Sequence, residues 1–214
     1  MKRPVPRPPE AALLPLPALP VSRETTARLD AFVALFLRWN ARINLTAERD
    51  AATIRDRHLA DGLQLLPLLP AGAAPAADLG TGGGFPGLVL AIADAARPWH
   101  LVESDRRKAA FLATAAGELS LPHVRVHAER IEAVTLPPLA VVTARALAPL
   151  PILLAHAARL LAPDGVALFP KGRTAGDELT AALPDWTMRV ERFASRTDSA
   201  ATLLRLSGIR RAGP

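Results

Sequence analysis

The sequence predicts an α/β protein built on a mostly parallel β-sheet. Short apolar runs of strand length alternate with segments of helical periodicity along most of the chain. A glycine-rich turn, from Asp78 to Gly87, lies between one such run and one such helical segment. The chain has 214 residues, half of them apolar, which is enough for one domain with a substantial core and an appended lobe.

The first 70 residues divide into two parts. Residues 1–21 are rich in proline and are predicted to form an extended or disordered tail. Residues 22–70 are predicted to form a small N-terminal helical lobe. Ser22 is the expected N-cap of its first helix, whose apolar spacing continues to Trp39, and a second helix is expected over 51–69. Residues 71–214 are assigned to the α/β core.

The glycine-rich turn joins a strand to a helix. The run 73–77 predicts a buried strand before it, and 86–97 predicts a helix after it, with Pro86 at the first helical position. An α/β sheet binds nucleotide-like ligands at such a turn. A ligand can press on the backbone where side chains are missing, as at Gly80, Gly82 and Gly84.

The remaining elements follow the same alternation. Strands are predicted over 99–103, 124–127, 139–144 and 166–169. Helices are predicted over 105–119 and 150–161, the second of them ended by Pro163-Asp164-Gly165. The runs 187–193 and 202–206 predict a closing antiparallel pair separated by the polar residues 195–199.

Two carboxylates indicate which ligand the turn binds. Glu103 ends the strand about twenty residues after the turn, the distance at which an acid accepts hydrogen bonds from a ribose. Asp78 opens the turn and would repel a pyrophosphate, whereas it suits a cationic ligand such as S-adenosylmethionine. A nicotinamide dinucleotide site would show G-x-G-x-x-G, but this turn reads G-x-G-x-G. These residues resemble class I methyltransferases.

Composition narrows the classes of partner and site. The formal net charge is +6, which favours a polyanionic partner such as nucleic acid, although the excess of Arg over Lys also fits a compositional bias of the genome. The absence of cysteine excludes disulfides and thiolate metal sites. His58 and Asp61 share a helix face, but two ligands make a poor metal site, so a local hydrogen bond is favoured and no metal is predicted. No apolar run predicts a membrane span.

Several motifs together resemble the RsmG (GidB) family, bacterial methyltransferases that act on guanine N7 in 16S ribosomal RNA. The Gly-Phe-Pro-Gly end of the turn and the Arg-His-x-x-Asp segment are the most specific of them. The matching pieces are Trp39-Asn40, Asn44-Leu45-Thr46, Arg57 to Asp61, Asp78 to Gly87, Val102-Glu103-Ser104, Arg130-Ile131-Glu132, Arg145-Ala146 and Lys171-Gly172. The resemblance implies a class I fold, with a Rossmann-like sheet of seven mostly parallel strands.

The resemblance implies the roles of the donor-site residues. Gly80 and Phe85 would line the S-adenosylmethionine site, and Glu103 would hold the ribose hydroxyls. Ile131 and Glu132 would meet the adenine. Taken with the turn, the expected cofactor-binding residues are Asp78, Gly80, Gly82, Gly84, Phe85, Glu103, Ile131, Glu132 and Arg145.

The resemblance also implies an RNA-binding side and a simple mechanism. Arg145 would face both the methionine moiety and the RNA. The expected RNA contacts are Asn44, Arg57, His58, Arg145 and Lys171. Guanine N7 carries a free lone pair, so no acid or base residue is expected, and catalysis would come from holding the reactants in line, with Arg145 and Lys171 as positioning residues.

The implied partner is 16S rRNA or the small ribosomal subunit, bound by a cytoplasmic monomer that releases S-adenosylhomocysteine. Two alternatives stay open: a class I methyltransferase for a small molecule or protein, and a non-catalytic RNA-binding ribosome-assembly factor. The chain departs from the family pattern at its ends. The proline-rich tail is an addition, and Ala200-Ala201-Thr202 replaces a basic residue before the last strand, for which Arg196 or Arg205 would compensate.

Overall fold

A seven-stranded β-sheet forms the centre of the computed structural model, which describes residues 13, 14, 16 and 21–213. The strand order is β3-β2-β1-β4-β5-β7-β6, and every pair from β3 to β5 is parallel, whereas β7 runs antiparallel to β5 and β6. This confirms the predicted mostly parallel sheet. The strands are β1 Ala76–Leu79, β2 Trp99–Val102, β3 Val124–His127, β4 Leu139–Thr143, β5 Leu161–Lys171, β6 Trp186–Ala194 and β7 Thr202–Arg211.

The register of the parallel strands assembles one edge of the sheet. Leu79 pairs with Val102, Val102 pairs with His127, and Asp78 pairs with Thr143. The residues that follow these strands therefore emerge side by side. Strands β2 and β3 are added on one side of β1, and β4 and β5 on the other. The order of strand addition therefore changes sides at β1, and open α/β sheets bind ligands in the crevice that this change creates at the carboxyl ends of the strands.

Helices cover the two faces of the sheet. They are α1 Arg23–Ile43, α2 Ala51–Thr53, a π-helical segment Ile54–Leu59, α3 Ala60–Leu63, a 3₁₀ turn Leu66–Leu68, α4 Gly87–Ala93, α5 Arg106–Glu118, α6 Leu150–Leu160 and α7 Ala175–Ala182. Ser22 caps α1 as predicted, since its hydroxyl accepts a hydrogen bond from the backbone N–H of Thr25.

An aromatic cluster joins α1 to the glycine turn. The rings of Phe32 and Phe36 lie 5.5 and 5.2 Å from the ring of Phe85, which belongs to the turn, and both also contact Phe111 of α5. All four rings are buried in one apolar core with α4. The predicted lobe therefore packs directly against the helices of the α/β core. A second core fills the other face of the sheet, around α6 and α7.

Three helix boundaries differ from the prediction. The expected helix over 51–69 is divided into the short segments given above, and its last part is a 3₁₀ turn that contains Pro67, whose nitrogen has no N–H for an α-helical bond. The first helix runs four residues beyond Trp39, and Asn44 then ends it at φ 52°. The helix after the turn ends at Ala93, and the buried Arg97 that follows donates to the carbonyl groups of Pro70, Gly72 and Ala74.

Strand β5 is also longer than predicted. It begins at Leu161, directly after α6, and the predicted turn Pro163-Asp164-Gly165 lies within its bounds. Leu139 pairs with Leu161 but Val141 pairs with Val166, so these turn residues bulge out of the ladder.

Part of the predicted tail lies on the sheet. The N–H of Leu14 donates to the carbonyl of Arg192, 2.8 Å away, and Leu14 pairs with Phe193 of β6 in parallel. The rest of the tail prediction, apart from Leu13, Leu16 and Val21, falls outside the described residues. Among the helices that the structure describes, none is long and apolar enough to cross a membrane.

Candidate active site

The glycine turn wraps the end of β1 as the sequence predicts. The N–H groups of Gly80 and Thr81 both donate to the carbonyl of Val102. Gly80 and Gly82 have φ values of 64° and 56°, a region that L-residues rarely adopt. Gly84 has φ 93°, and a Cβ there would lie 3.0 Å from Leu88, so Gly84 faces the protein core and not a ligand.

Asp78 faces inward, which revises its predicted role. Its carboxylate is fully buried and accepts hydrogen bonds from the N–H of Gly87 at 3.0 Å, from the hydroxyl of Thr143 at 2.6 Å and from the hydroxyl of Thr81. Burial raises the pKa of Asp78 to about 6, although these hydrogen bonds oppose the shift. Because each of these bonds comes from a protein group, Asp78 holds the turn together.

A cavity of about 340 Å³ opens beside the turn, at the carboxyl ends of β1, β2 and β3. Five predicted donor-site residues line it together: Gly80, Gly82, Glu103, Ile131 and Glu132. Phe85 and Arg145 lie outside its lining. The other six lining residues were not predicted as donor-site residues from the sequence: Val102, Ser104, Lys108, Glu129, Arg130 and Leu147. Glu129 and Arg130 directly precede Ile131, so their position in the sequence could have identified them as lining residues.

Glu103 is held in place by two backbone groups. One carboxylate oxygen accepts from the N–H of Gly82 and the other from the N–H of Asp105, each at 2.8 Å. A carboxylate offers about four lone-pair sites, so two stay free for ligand hydroxyls. Glu103 thus links the turn to the start of α5 and presents its remaining acceptors toward the cavity.

Arg159 supports the segment around Ile131 that lines this cavity. Its guanidinium donates to the carbonyl of Val134 at 3.1 Å and to the carbonyl of Ile131. His156, one turn earlier on α6, has Nε2 3.7 Å from the carboxylate of Glu132. No local sequence signal indicates these contacts, because α6 begins more than fifteen positions after residues 131–134.

A second cavity, of about 660 Å³, adjoins the first. Arg145 and Lys171 both line it, as do Asp61 and Gln64 from the N-terminal helices, and Leu147 lines both cavities. Ser195, Thr197 and Asp198 of the β6–β7 turn form its other side. We call the first the donor cavity and the second the acceptor cavity.

Arg145 is fixed by three neighbours. Its Nη1 donates to Asp61 at 3.2 Å, and its Nη2 lies 3.0 Å from Nδ1 of His58. Its Cζ lies 5.5 Å from the centre of the Phe85 ring, close enough for a cation–π contact. The favoured local bond between His58 and Asp61 is thus replaced by contacts from both of them to Arg145. Within the described part of the chain, no group of three His, Asp or Glu residues could hold a metal ion.

His58 lies inside this cluster and does not face open solvent. Its ring stacks on Phe85 with centres 5.0 Å apart, and Nε2 lies 3.4 Å from a carboxylate oxygen of Glu48. Burial lowers the pKa of His58, and the charge of Arg145 lowers it further. A hydrogen bond from the Thr46 hydroxyl is the main cause that lowers the pKa of Glu48 to about 2.

The other predicted RNA contacts of the N-terminal lobe lie nearer the surface. Arg57 has Nη1 3.3 Å from Glu48, and most of its side chain is exposed. The side-chain oxygen of Asn44 accepts from Arg49 at 3.0 Å. Both residues come shortly before His58 and Asp61 in the chain, the two residues that contact Arg145.

Lys171 is engaged within the protein. Its Nζ donates to the carbonyl of Ala148 at 2.9 Å and to Glu178 at 2.7 Å, and Glu178 in turn accepts from the N–H of Leu150. Burial alone would raise the pKa of Glu178, but the bonds from Lys171 and Leu150 outweigh it and lower that pKa. Lys171 therefore holds the loop after β4, a role the sequence did not indicate.

The β6–β7 turn is bound to the N-terminal lobe. The side chain of Gln64 accepts from the N–H of Arg196 at 2.9 Å, and the hydroxyl of Thr197 donates to Asp61. Arg205, the proposed substitute for the missing basic residue, is engaged by Glu191 and by the carbonyl of Leu68. The guanidinium of Arg196 donates to the carbonyl of Leu16 at 3.1 Å.

Comparison with known proteins identifies the family of the chain. The family model described as "rRNA small subunit methyltransferase G" (GidB) matches residues 25–201. Among curated relatives, the protein of that name from Acidiphilium cryptum is 60% identical over 194 residues, covering 90% of this chain and 89% of its own. Its namesake from Rhodospirillum centenum is 55% identical over 192 residues, covering 90% and 88%.

Solved structures agree on the fold. An O-methyltransferase from Bacillus cereus in complex with SAH superposes with a TM-score of 0.57 at 16% identity, covering 83% of this chain and 91% of that one. A SAM-dependent methyltransferase from Aquifex aeolicus also gives 0.57, at 14% identity, covering 72% and 92%. The predicted family is confirmed by the family model and the curated relatives together: this chain belongs to the rRNA small subunit methyltransferase G family.

Proposed function

We propose that the protein transfers the methyl group of S-adenosylmethionine to N7 of a guanine in 16S rRNA. The observation that carries the proposal is the pair of adjoining cavities that share Leu147. One is built on the glycine turn and Glu103, and the other has Arg145 in its wall. Family membership supports ribosomal RNA of the small subunit as the substrate.

The residues of the donor cavity suit S-adenosylmethionine, which supplies an electrophilic methyl group when it is bound. Glu103 has acceptors left for the two ribose hydroxyls. Gly82 leaves room for the ligand at the backbone, because a Cβ there would meet only the carbonyl oxygen of Gly80, 3.9 Å away, whereas the space beside Gly80 is filled by Leu147. The three carboxylates of the lining, Glu103, Glu129 and Glu132, outnumber its two cations, Lys108 and Arg130, and this balance favours a cationic ligand. Ile131 and Glu132 line the part of the cavity that we assign to the adenine.

The acceptor needs alignment more than activation. The lone pair of N7 forms the new bond to the methyl carbon, while the pair of the breaking sulfur–carbon bond stays on sulfur. No proton has to leave first, so this chain needs no general base. Good alignment alone corresponds to effective molarities of about 10⁵–10⁸ M. Arg145, fixed by Asp61 and His58, is the group that we assign to positioning the RNA.

The RNA contacts divide into direct and indirect ones. We assign direct contact to Arg145 and to the exposed Arg57, with Asn44 beside them. His58 and Lys171 act indirectly, since one orients Arg145 and the other holds the loop after β4. Proteins read RNA most easily in loops and unpaired ends, so the target guanine lies in such a region.

We further propose that the protein acts as a monomer in the cytoplasm on 16S rRNA or the small subunit. The name of the family supports a ribosomal substrate. Light scattering of the purified protein, alone and with small subunits, tests the monomer. A stable dimer in both samples would contradict it.

The decisive experiment maps N7-methylguanosine in 16S rRNA from cells with and without this gene. Loss of one modified guanine on deletion, restored by the wild-type gene and not by a variant with Arg145→Ala, is the expected result. Unchanged 16S modification, with methyl incorporation into a metabolite or a protein instead, would support the small-molecule or protein methyltransferase. Failure of calorimetry to detect S-adenosylmethionine binding would support the non-catalytic assembly factor.

A further inference from the structure

The loop between β4 and α6, residues 144–149, is fastened at both ends. At its start, Arg145 is bonded to Asp61 and His58. At its end, Lys171 donates to the carbonyl of Ala148, and Glu178 accepts from the N–H of Leu150. We call this segment the β4 loop. Its middle is therefore held in one position between two anchored ends.

Leu147 is the side chain that the β4 loop presents at its middle. Its Cδ1 lies 2.6 Å from the place where a Cβ on Gly80 would be, so it rests directly on the glycine turn. It is 37% exposed, so part of its surface is open to a ligand in either cavity. Ala146, just before it, has φ 51°, an unfavourable region for alanine that persists where surroundings demand it.

The two cavities meet at this side chain. Leu147 lines both the donor cavity and the acceptor cavity. The methyl group has to pass from one cavity to the other, so a residue at their boundary touches both reactants. An aliphatic group suits this place, because it offers no competing nucleophile and keeps water from the cationic donor.

We propose that Leu147 is the apolar contact that aligns the methyl donor with the acceptor base at the boundary of the two cavities. This inference rests on the proposed function and adds a residue to it. Leu147 presses on the donor from the side of Gly80 and on the plane of the base from the other side. Its contribution is alignment of the two reactants, and not affinity for either of them.

A purely structural role for Leu147 makes a different prediction. If Leu147 only stabilised the fold by packing, its removal would lower the melting temperature and leave kcat unchanged. Leu183, at the C-terminal end of α7, is a matched control, since it is 39% exposed and lines neither cavity. Leu147→Met keeps an apolar side chain of similar length and should preserve alignment.

The experiment compares wild type, L147A, L147M and L183A. The substrates are S-adenosylmethionine and small subunits from cells that lack the gene, and the readouts are donor affinity, melting temperature, kcat and KM. For L147A we expect kcat to fall about tenfold or more, because misplaced reactants lose alignment, while donor affinity and melting temperature stay at wild-type values. L147M should recover most of kcat, and L183A should match wild type.

Two results overturn the inference. One is an L147A enzyme with the kcat of wild type. The other is a loss of kcat that accompanies equal losses in donor affinity or melting temperature, which assigns Leu147 to packing. Failure of the proposed function looks different, because then wild type itself binds the donor and leaves small subunits unmethylated, and both proposals are rejected together.

Discussion

The guanidinium of Arg145 lies 3.0 Å from Nδ1 of His58, so this nitrogen must be unprotonated to accept the hydrogen bond. The ring proton then resides on Nε2, which faces Glu48 at 3.4 Å. A neutral imidazole of defined tautomer thus orients the arginine that we assign to the RNA. Protonation of His58 would replace this hydrogen bond by repulsion between two cations.

This relationship predicts an acid limb in the pH profile of methylation. Burial, aided by Arg145, lowers the pKa of His58 below its ordinary 6.5, so the neutral ring is retained at neutral pH. Its stabilising contribution is present above pH 6.5 and is lost as the pH falls through the lowered pKa. Methylation should fall over the same range, and ¹⁵N spectra of His58 should show Nδ1 gaining a proton.

His58→Gln supplies the comparison, since its amide can accept from Arg145 but cannot titrate. Its acid limb should be weaker than that of wild type. His123→Gln, which alters a histidine bonded to the carbonyl of Ala91 away from both cavities, should keep the wild-type profile. Identical profiles for all three proteins would show that His58 does not control the arginine.

Lys171 and Arg173 should differ in how they affect RNA binding. Lys171 is bonded to Ala148 and Glu178, whereas Arg173 is exposed two residues later. Each phosphate contact that is lost reduces the slope of log K against log salt by about 0.7–0.9. We expect Arg173→Ala to reduce this slope and Lys171→Ala to leave it unchanged while lowering kcat through the β4 loop. Titration of labelled 16S rRNA at several salt concentrations measures both, and a reduced slope for Lys171→Ala would assign that lysine to a phosphate.

Replacement of Glu103 should weaken donor binding selectively. In Glu103→Ala the ribose loses a charged acceptor, and such hydrogen bonds contribute about 1.5–3 kcal/mol, or roughly 10–100-fold in affinity. Calorimetry with S-adenosylmethionine measures the change. Glu118→Ala, which removes an exposed carboxylate paired with Arg38, should bind the donor like wild type. Unchanged affinity in Glu103→Ala would remove Glu103 from the donor site.

Asp78→Asn should make stability less dependent on pH. The folded state raises the pKa of Asp78 from 3.8 to about 6, so this acid stabilises the fold when protonated and loses that contribution as the pH rises through 6. The shift corresponds to about 3 kcal/mol across this range. The amide of asparagine can accept from Gly87 and donate to Thr143, whose hydroxyl can turn toward the carbonyl of Ala77.

Urea unfolding of wild type and Asp78→Asn across that pH range tests this expectation. Wild type should lose more stability on the alkaline side than the variant does. Asp78→Ala should be destabilised at every pH, because each donor left without an acceptor costs about 1–3 kcal/mol. Parallel pH profiles for wild type and Asp78→Asn would mean that burial does not shift this carboxyl group.

Gly87→Ala should damage the turn through a steric clash. A Cβ at Gly87 would lie 2.4 Å from Cβ of Asp78 and 2.6 Å from its carboxylate, so the helix and the strand would have to separate. Overpacking of this kind costs about 1–3 kcal/mol. Gly117→Ala, in α5, meets nothing within 4 Å and should be neutral or stabilising by up to about 1 kcal/mol. Thermal unfolding compares the two, and equal melting temperatures would refute the clash.

The sequence predicted the elements whose signals are local. The strand-to-helix turn, Glu103 about twenty residues later and the closing strand pair all emerge from periodicity and spacing. The resemblance to the family assigned Ile131 and Glu132 to the donor site, and the structure brings them together with Gly80 and Gly82 because parallel strands end at one edge of the sheet.

What the sequence could not predict depends on partners distant along the chain. Asp61 and Arg145 are 84 positions apart, and Gln64 and Arg196 are 132 apart. The inward direction of Asp78 depends on Thr143 of a neighbouring strand. The sequence did not indicate that Ala148 and Glu178 engage Lys171 or that Glu48 lies beside His58, because these partners carry no motif of their own.

The pairing of Leu14 with Phe193 has a consequence for the open side of the sheet. Strand β6 is last in the strand order, so its outward N–H and C=O groups would otherwise be available to another chain. Leu14 occupies part of that edge through its bond to Arg192. A protein that lacks Leu14 leaves this part of β6 open to strand addition by another chain, so the contact protects the edge against self-association.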